Sequence, residues 1–75
     1  MKKSKEITVL FGQRVKALRL QAGLSQEALA DKCGLDRTYI SGIERGVRNP
    51  TLEVIGVIAD GLEIDLKFLF SYLNK

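Results

Sequence analysis

The feature that most constrains the fold is a three-residue link, Gly34-Leu35-Asp36, between two short helical segments. Ser25 is a favourable N-cap for the first segment, residues 26–33, and the glycine of the link stops it. The aspartate of the link caps the second segment, residues 37–45, which Gly46 closes. A turn of this length that contains glycine is typical of the connection in a helix-turn-helix motif.

A longer helical segment, residues 9–22, precedes this pair. Its apolar residues recur at i, i+4, i+7 and i+11, which places four of them on one helical face: Phe11, Val15, Leu18 and Ala22. Gly23 follows as a C-cap. Residues 1–8 are rich in lysine and carry no motif, so we expect a basic N-terminal arm with a frayed end.

Two further helices are predicted after the pair. Thr51 can cap a fourth helix, residues 51–60, and Gly61 is expected to end it. Asp65 can cap a fifth helix, residues 66–73. Since no segment shows sustained strand-like alternation, the sequence predicts an all-α fold of five helices.

A chain of 75 residues suffices for one small core and leaves no room for a separate catalytic domain. We therefore expect residues 9–73 to form a single domain. Hydrophobic residues make up 45% of the chain and charged residues 28%, a balance typical of globular proteins. With no histidine and one cysteine, the usual zinc sites and every histidine-dependent catalytic triad are excluded. We expect no enzyme activity, no metal and no cofactor.

The chain is predicted to be cytoplasmic. A single cysteine, Cys33, cannot form an internal disulfide, so nothing indicates an oxidising compartment. No apolar run approaches the roughly 20 residues that a membrane span needs, and the N-terminus lacks the apolar core of a signal peptide. A reducing compartment with no membrane partner fits these observations.

Positive charge is concentrated at the front of the chain. Residues 1–25 contain six Lys or Arg and one Glu, and residues 26–50 contain four residues of each sign. Residues 51–75 contain two basic and four acidic residues. A basic front and an acidic rear indicate that one end meets a polyanion, although ordinary surface variation gives the same pattern.

The segment of residues 37–45 has an apolar and a polar face. Ile40 and Ile43 point one way, and the opposite side carries four polar residues: Arg37, Thr38, Ser41 and Arg45. In the major groove of DNA, arginine can bridge O6 and N7 of guanine, and serine or threonine can bond to base edges or touch a thymine methyl. A solvated helix surface is the alternative explanation of this pattern.

The run from Phe11 to Phe70 resembles the Cro and phage-repressor type, or lambda-repressor-like, helix-turn-helix family along about four-fifths of the chain. The matching positions are Gln26, Leu29, Ala30, Gly34, Ile40, the stretch Ile43-Glu44-Arg45-Gly46 and the stretch Asn49-Pro50-Thr51-Leu52. The stretch from Leu35 to Pro50 is most similar to the controller proteins of restriction-modification systems, which are homodimeric regulators of their own operon. The resemblance implies a helix-turn-helix formed by helices two and three.

The resemblance also implies roles for individual residues. Three residues of the third helix become candidates for base reading: Arg37, Thr38 and Ser41. Five more become candidates for contacts with the DNA backbone or groove edge: Gln26, Tyr39, Arg45, Arg48 and Asn49. Because Arg48 lies in a loop, base reading and phosphate binding both stay open for it.

Two further expectations concern the interior. Arg19 and Glu44 resemble a family pair that bridges helix one to helix three, and the spacing of each residue places it at the edge of the core. A partly buried ion pair there would orient the recognition helix, and two unrelated surface charges are the alternative. Cys33 stands where the family places a small apolar residue, so we expect a core side chain rather than a reactive thiol.

Helices four and five contain more apolar residues than one core face requires, which predicts a symmetric dimer formed by these two helices. Four residues are assigned to the core: Leu52, Ile55, Leu62 and Leu69. Four others are assigned to the dimer interface: Val54, Val57, Phe68 and Tyr72. A two-fold dimer would place two recognition helices about 34 Å apart, which matches a near-palindromic operator.

The predicted function is therefore a homodimeric, sequence-specific transcription regulator, with a restriction-modification controller of its own operon as the finer expectation. Double-stranded operator DNA and a second copy of the chain are the expected partners, and RNA polymerase is a further candidate. A phage-type repressor and an antitoxin are alternatives within the class, although few residues are spare to wrap a toxin. A protein-interaction module with an idle helix-turn-helix fold and, third, an enzyme are the alternatives from other classes.

Overall fold

The computed structural model describes the backbone of residues 2–73 and the side chains of residues 6–73. Within that range the chain forms five α-helices and a short 3-10 turn: α1 (Lys2–Gln21), α2 (Gln26–Cys33), α3 (Arg37–Glu44), α4 (Leu52–Leu62), α5 (Leu66–Leu69) and the turn Ser71–Leu73. The all-α fold of five helices is thus confirmed. The tight link between α2 and α3 has the predicted length, and α3 ends one residue earlier than expected.

Helix α1 is longer than predicted. It begins at Lys2, so the expectation of an arm is wrong for residues 2–8, while Met1 lies outside the described residues. The physical reason is that lysine and glutamate are good helix formers and that no glycine or proline interrupts the chain before Gly12. Among the described residues, no helix combines the length and the apolar character that a membrane crossing requires.

The predicted caps are correct at most positions. Three N-cap side chains accept a hydrogen bond from the amide three residues further on: Ser25, Thr51 and Asp65. Gly34 closes α2 in the left-handed conformation, with φ of 68°. Asp36 occupies the N-cap position of α3, but its carboxylate accepts a hydrogen bond from the hydroxyl of Thr38 at 2.8 Å and not from a backbone amide.

Gly61 does not end α4, which is a correction to the prediction. The helix continues to Leu62, and Glu63 adopts the left-handed conformation with φ of 60°. Gly61 is buried where α4 meets α2, and a Cβ at that position would collide with the Sγ atom of Cys33. The glycine therefore serves close helix packing. Helix α5 is also shorter than predicted, because the chain passes into the 3-10 turn Ser71–Leu73.

The core is formed by buried apolar side chains of all five helices: Phe11, Val15, Leu18, Leu29, Ala30, Ile40, Ile43, Ile58, Ala59, Leu62 and Leu69. Ala22 does not continue the apolar face of helix one as predicted, because α1 ends at Gln21 and Ala22 is exposed in the turn that follows. The assignment of Leu52 to the core is also wrong. Leu52 is the first residue of α4 and its side chain is 76% exposed.

Cys33 packs against the core, as predicted from its position. It is half-buried, and its thiol donates a hydrogen bond to the carbonyl oxygen of Val57 at 3.6 Å. Burial raises the pKa of the Cys33 thiol above its ordinary value. A protonated thiol is a poor nucleophile, which agrees with a packing role.

Helices α1 and α3 approach each other without room for a side chain at Gly12. A Cβ there would collide with the carbonyl oxygen of Ile43 and would lie 2.9 Å from that of Glu44. The end of α3 is therefore seated directly on α1. This contact fixes the helix that carries the predicted DNA-binding face.

Candidate nucleic-acid interface

Helix α3 has the two faces that its sequence predicts. Ile40 and Ile43 are completely buried and face the core. On the other side Arg37 and Thr38 are exposed, and Ser41 is half-buried. Because the inner face is anchored by two β-branched side chains with few rotamers, the outer face is presented on a rigid helix.

The hydroxyl of Thr38 is already used as a donor. It donates to the carboxylate of Asp36, which stands at the start of the same helix. The hydroxyl oxygen can still accept a hydrogen bond, and its methyl group is available for apolar contact. Thr38 is therefore suited to touch a thymine methyl or to accept from a base amino group. Arg37 keeps more freedom, since within the described part of the chain its guanidinium makes one long hydrogen bond, 3.5 Å to Oε1 of Gln26.

Arg19 and Glu44 form the predicted ion pair between α1 and α3. Nε of Arg19 lies 2.7 Å from Oε2 of Glu44, and Nη2 donates to Oε1 at 3.0 Å. The two side chains are only 8% and 2% exposed, so the pair is more deeply buried than the expected position at the core edge. The hydrogen bonds to Glu44 raise the pKa of Arg19 further above its usual value. The pair ties the end of α3 to α1.

Gln26 extends this pair toward the outer surface. Its Nε2 donates to Oε1 of Glu44 at 3.0 Å, which orients the side chain at the first residue of α2. An amide nitrogen has two N–H groups, so one remains for a phosphate. The free backbone amides at the start of α2 favour an anion at the same place. The sequence pattern gave no indication that Gln26 would join the Arg19–Glu44 pair.

Arg48 is held against α3 although it lies in the following loop. Its backbone amide donates to the carbonyl oxygen of Gly42 at 3.2 Å, and a Cβ at Gly42 would collide with Cγ of Arg48. The guanidinium lies 5.0 Å from the centroid of the Tyr39 ring, within the range of cation–π attraction. The position of this cation beside the helix is therefore set before any ligand binds. Gly42 was not singled out from the sequence.

The remaining predicted contact residues lie at the end of α3 and beyond it. Arg45 is exposed directly after the helix, and Asn49 is exposed in the loop. Tyr39 is half-buried against the core, so its ring forms part of the support for Arg48. Together with Arg37 and Arg48, these residues form an exposed surface that combines three arginines with polar side chains. This composition suits contacts with the DNA backbone and with base edges.

Comparison with known proteins identifies the family. A helix-turn-helix family model matches residues 15–69. The chain belongs to the Cro/C1-type helix-turn-helix family. Its helix-turn-helix is formed by α2 and α3, which confirms the resemblance stated from the sequence, and α3 is accordingly the recognition helix.

Relatives of the chain within this family include controller proteins. The chain is 48% identical over 67 residues to control protein C.BamHI of Bacillus amyloliquefaciens, a match covering 88% of this chain and 83% of that protein. It is 49% identical to the restriction-modification controller protein C.AhdI from Aeromonas hydrophila, with a TM-score of 0.84, covering 87% of this chain and 98% of that chain.

A third similar structure contains DNA. The restriction-modification controller protein C.Esp1396I, solved as a tetramer in complex with its natural 35 base-pair operator, is 43% identical to this chain. The TM-score is 0.84, and the match covers 89% of this chain and 88% of that chain. A protein with this fold, C.Esp1396I, therefore binds an operator.

The predicted dimer interface of this helix-turn-helix protein is only partly exposed in the single chain. Phe68 is 50% exposed, whereas Val54, Val57 and Tyr72 are half-buried. Other apolar side chains of α4, α5 and the 3-10 turn are exposed as well: Leu52, Leu66 and Leu73. An apolar surface of this kind on a small domain is typical of a protein interaction site.

Proposed function

We propose that the protein is a homodimeric, sequence-specific DNA-binding regulator that controls the operon of a restriction-modification system. The observation that carries this proposal is the outer face of α3, which is polar and exposed while its end is locked to α1 by the buried Arg19–Glu44 pair. A rigid helix with a donor-rich outer face is what reading of the major groove requires. Similarity to the controllers C.BamHI and C.AhdI supports the finer assignment.

Within this proposal the recognition helix reads base edges with three side chains: Arg37, Thr38 and Ser41. Contacts with the backbone or groove edge come from five others: Gln26, Tyr39, Arg45, Arg48 and Asn49. Base contacts set sequence preference, and phosphate contacts set affinity and register. The placement of Arg48 over the Tyr39 ring favours a groove-edge or phosphate contact beside the helix.

Two copies of the chain would bring two recognition helices to one side of the duplex, about 34 Å apart. Occupancy of a near-palindromic operator then depends on the protein concentration through the dimer equilibrium. A regulator of its own operon can use that dependence as a timing device. Within this proposal the protein acts on DNA in the cytoplasm. RNA polymerase is a further partner if the bound dimer activates transcription.

The experiment that tests the proposal is selection of bound sequences from a random duplex pool, followed by binding measurements on the selected site and on a scrambled duplex. We expect a selected site with two-fold symmetry. Arg37→Ala should weaken binding to that site by about 1–3 kcal/mol and relax the preference at one base position. Arg45→Ala should weaken binding to both duplexes and lower the salt dependence, because it removes a phosphate contact.

Lys32→Ala is the matched control, since it removes one positive charge at a side chain that is bonded to Glu63 at the end of α4. Its sequence preference should equal that of the wild type. Equal affinity of the wild-type protein for selected and scrambled duplexes, with purely salt-dependent binding, would refute the proposal and favour an interaction module with an idle helix-turn-helix fold.

A further inference from the structure

Arg14 makes a set of contacts that neither the apolar pattern nor the family resemblance indicated. This side chain of α1 reaches the end of α5, where Nε donates to the carbonyl oxygen of Leu69 at 3.0 Å. Nη2 donates to the carbonyl oxygen of Phe68 at 2.6 Å and to the hydroxyl of Ser71 at 3.1 Å. A cation at the carbonyl end of a helix is favourable both as a hydrogen-bond donor and through the helix dipole.

The same guanidinium lies close to two aromatic rings. It is 5.0 Å from the centroid of the Phe68 ring and 5.5 Å from that of the Tyr72 ring. Both distances fall within the range of about 6 Å for cation–π attraction. One side chain thus contacts the backbone and two of the three aromatic rings of the segment Leu66–Leu73. These two rings belong to residues assigned to the dimer interface.

The segment Leu66–Leu73 depends on side-chain contacts for its shape. Besides the contacts of Arg14, it has the Asp65 cap and the Phe70 ring, which stacks on Phe11 and Tyr72. Helix α5 is a single turn of four residues, followed by a 3-10 turn of three, and helices of this length are unstable on their own. Leu69 is fully buried and anchors the segment to the core. Leu66, Phe68 and Leu73 are 45–50% exposed, so their arrangement depends on contacts such as those of Arg14.

We propose that Arg14 is a positioning residue for self-association, which holds Phe68 and Tyr72 in the arrangement that a second copy of this chain packs against. The inference rests on the dimer of the proposed function and deepens it by naming the residue that shapes the interface. The bond from Nε of Arg14 also satisfies the carbonyl oxygen of Leu69 beside an apolar contact surface. The tetramer of C.Esp1396I on its operator shows that a protein of this fold self-associates.

The test measures the dimer dissociation constant of the full chain by sedimentation equilibrium in the absence of DNA. Arg14→Gln, which removes the charge and the bonds of Nε and Nη2, should raise the dissociation constant about 10-fold or more. Arg14→Lys, which keeps the charge but not the planar donor group, should raise it about threefold. Lys16→Gln removes the same charge from the same helix and should leave the constant within about twofold of the wild type.

A second measurement separates positioning from general loss of structure. If Arg14 acts through the Phe68 ring, Arg14→Gln and Phe68→Leu should be non-additive, so that Arg14→Gln has a much smaller effect on dimerisation in the Phe68→Leu background. Additive effects of the two changes overturn the inference. A dissociation constant for Arg14→Gln within about twofold of the wild type overturns it as well.

Failure of this inference and failure of the proposed function give different results. Should Arg14→Gln fail to fold, Arg14→Lys takes its place in the same cycle with Phe68→Leu, and equal dissociation constants for Arg14→Lys and wild type overturn the inference. A wild-type chain that stays monomeric at every concentration also overturns it, while selection from a duplex pool still tests DNA reading by α3. Conversely, a chain with no sequence preference refutes the proposed function and leaves the dimer measurement valid.

Discussion

Replacing Glu44 by alanine should destabilise the domain severely, because it leaves a buried cation without its counter-ion. The carboxylate accepts two hydrogen bonds from Arg19, at 2.7 and 3.0 Å, and one from Gln26 at 3.0 Å. After the change Arg19 would keep its 2.8 Å bond to the carbonyl oxygen of Leu24, with a side chain that is 8% exposed. Breaking a buried ion pair from one side costs about 3–5 kcal/mol.

That cost is large compared with the expected stability of the whole domain. At about 0.05–0.15 kcal/mol per residue, a chain of this length has a free energy of unfolding of about 4–11 kcal/mol. Urea unfolding followed by circular dichroism, at one fixed protein concentration, should therefore show that Glu44→Ala loses about a quarter or more of the free energy of unfolding. The double variant Arg19→Met/Glu44→Met should recover much of the loss, because no unpaired charge remains.

Lys32→Ala supplies the matched control. It breaks an ion pair of similar length, 2.9 Å between Nζ of Lys32 and Oε2 of Glu63, but both of those side chains are exposed. Its unfolding midpoint should change little, because exposed pairs are screened by solvent and salt. Equal shifts for Glu44→Ala and Lys32→Ala would refute the argument from burial. The same holds if the double methionine variant is no more stable than Glu44→Ala.

Three further predictions address other positions. Gly12→Ala should lower the free energy of unfolding by about 1–3 kcal/mol, because the new Cβ would collide with a carbonyl oxygen of α3. Gly56→Ala is the control and should not destabilise the domain, because a Cβ there meets nothing within 4 Å. Equal urea midpoints for the two variants would contradict the packing argument. Glu63→Gly should raise Tm by a few degrees, since residue 63 has a positive φ, and calorimetry with an unchanged or lower Tm would contradict this. Burial raises the pKa of the Tyr72 phenol above its ordinary value of 10.0, so absorbance titration of the Tyr39→Phe variant should have its midpoint above that value. Because the folded state keeps the proton that the unfolded state loses, stability should fall as the pH rises past about 10, and a midpoint at or below 10.0 would contradict the burial argument.

Most of the helices could be predicted because their signals are local. Ser25, Thr51 and Asp65 cap helices through bonds to amides three residues away, and such bonds need only a short sequence. Gly61 was misinterpreted because a glycine that ends a helix and a glycine that permits close packing have the same local signature. The side chains of the neighbouring helix, Cys33 foremost, distinguish the two, and no local pattern reports them. Leu52 was misassigned since an apolar residue at the start of a helix also fits a core pattern.

The residues of the DNA-binding face could be predicted in outline. The long-range contacts that hold the surrounding side chains in place could not. Spacing alone places Arg37 and Thr38 on the side of α3 opposite the two isoleucines, as observed. The contacts of Arg14 join residues 54 to 57 positions apart, and no local pattern reports such distances. The position of Arg48 against Gly42 and Tyr39 likewise depends on how the loop folds back over α3. The roles of the individual base-reading residues stay predictions.

The close contact between α1 and α3 at Gly12 affects how the DNA sequence preference of this protein can change. The last carbonyl groups of α3 lie against α1 with no space for even a methyl group. The distance and the angle between the two helices are therefore fixed. Evolution or engineering can then exchange side chains on the outer surface without disturbing the frame beneath. We therefore expect that preference for a new operator can be introduced by exchanging only the three outer residues proposed to read bases. A set of three such residues taken from a relative should bring the sequence preference of that relative with it.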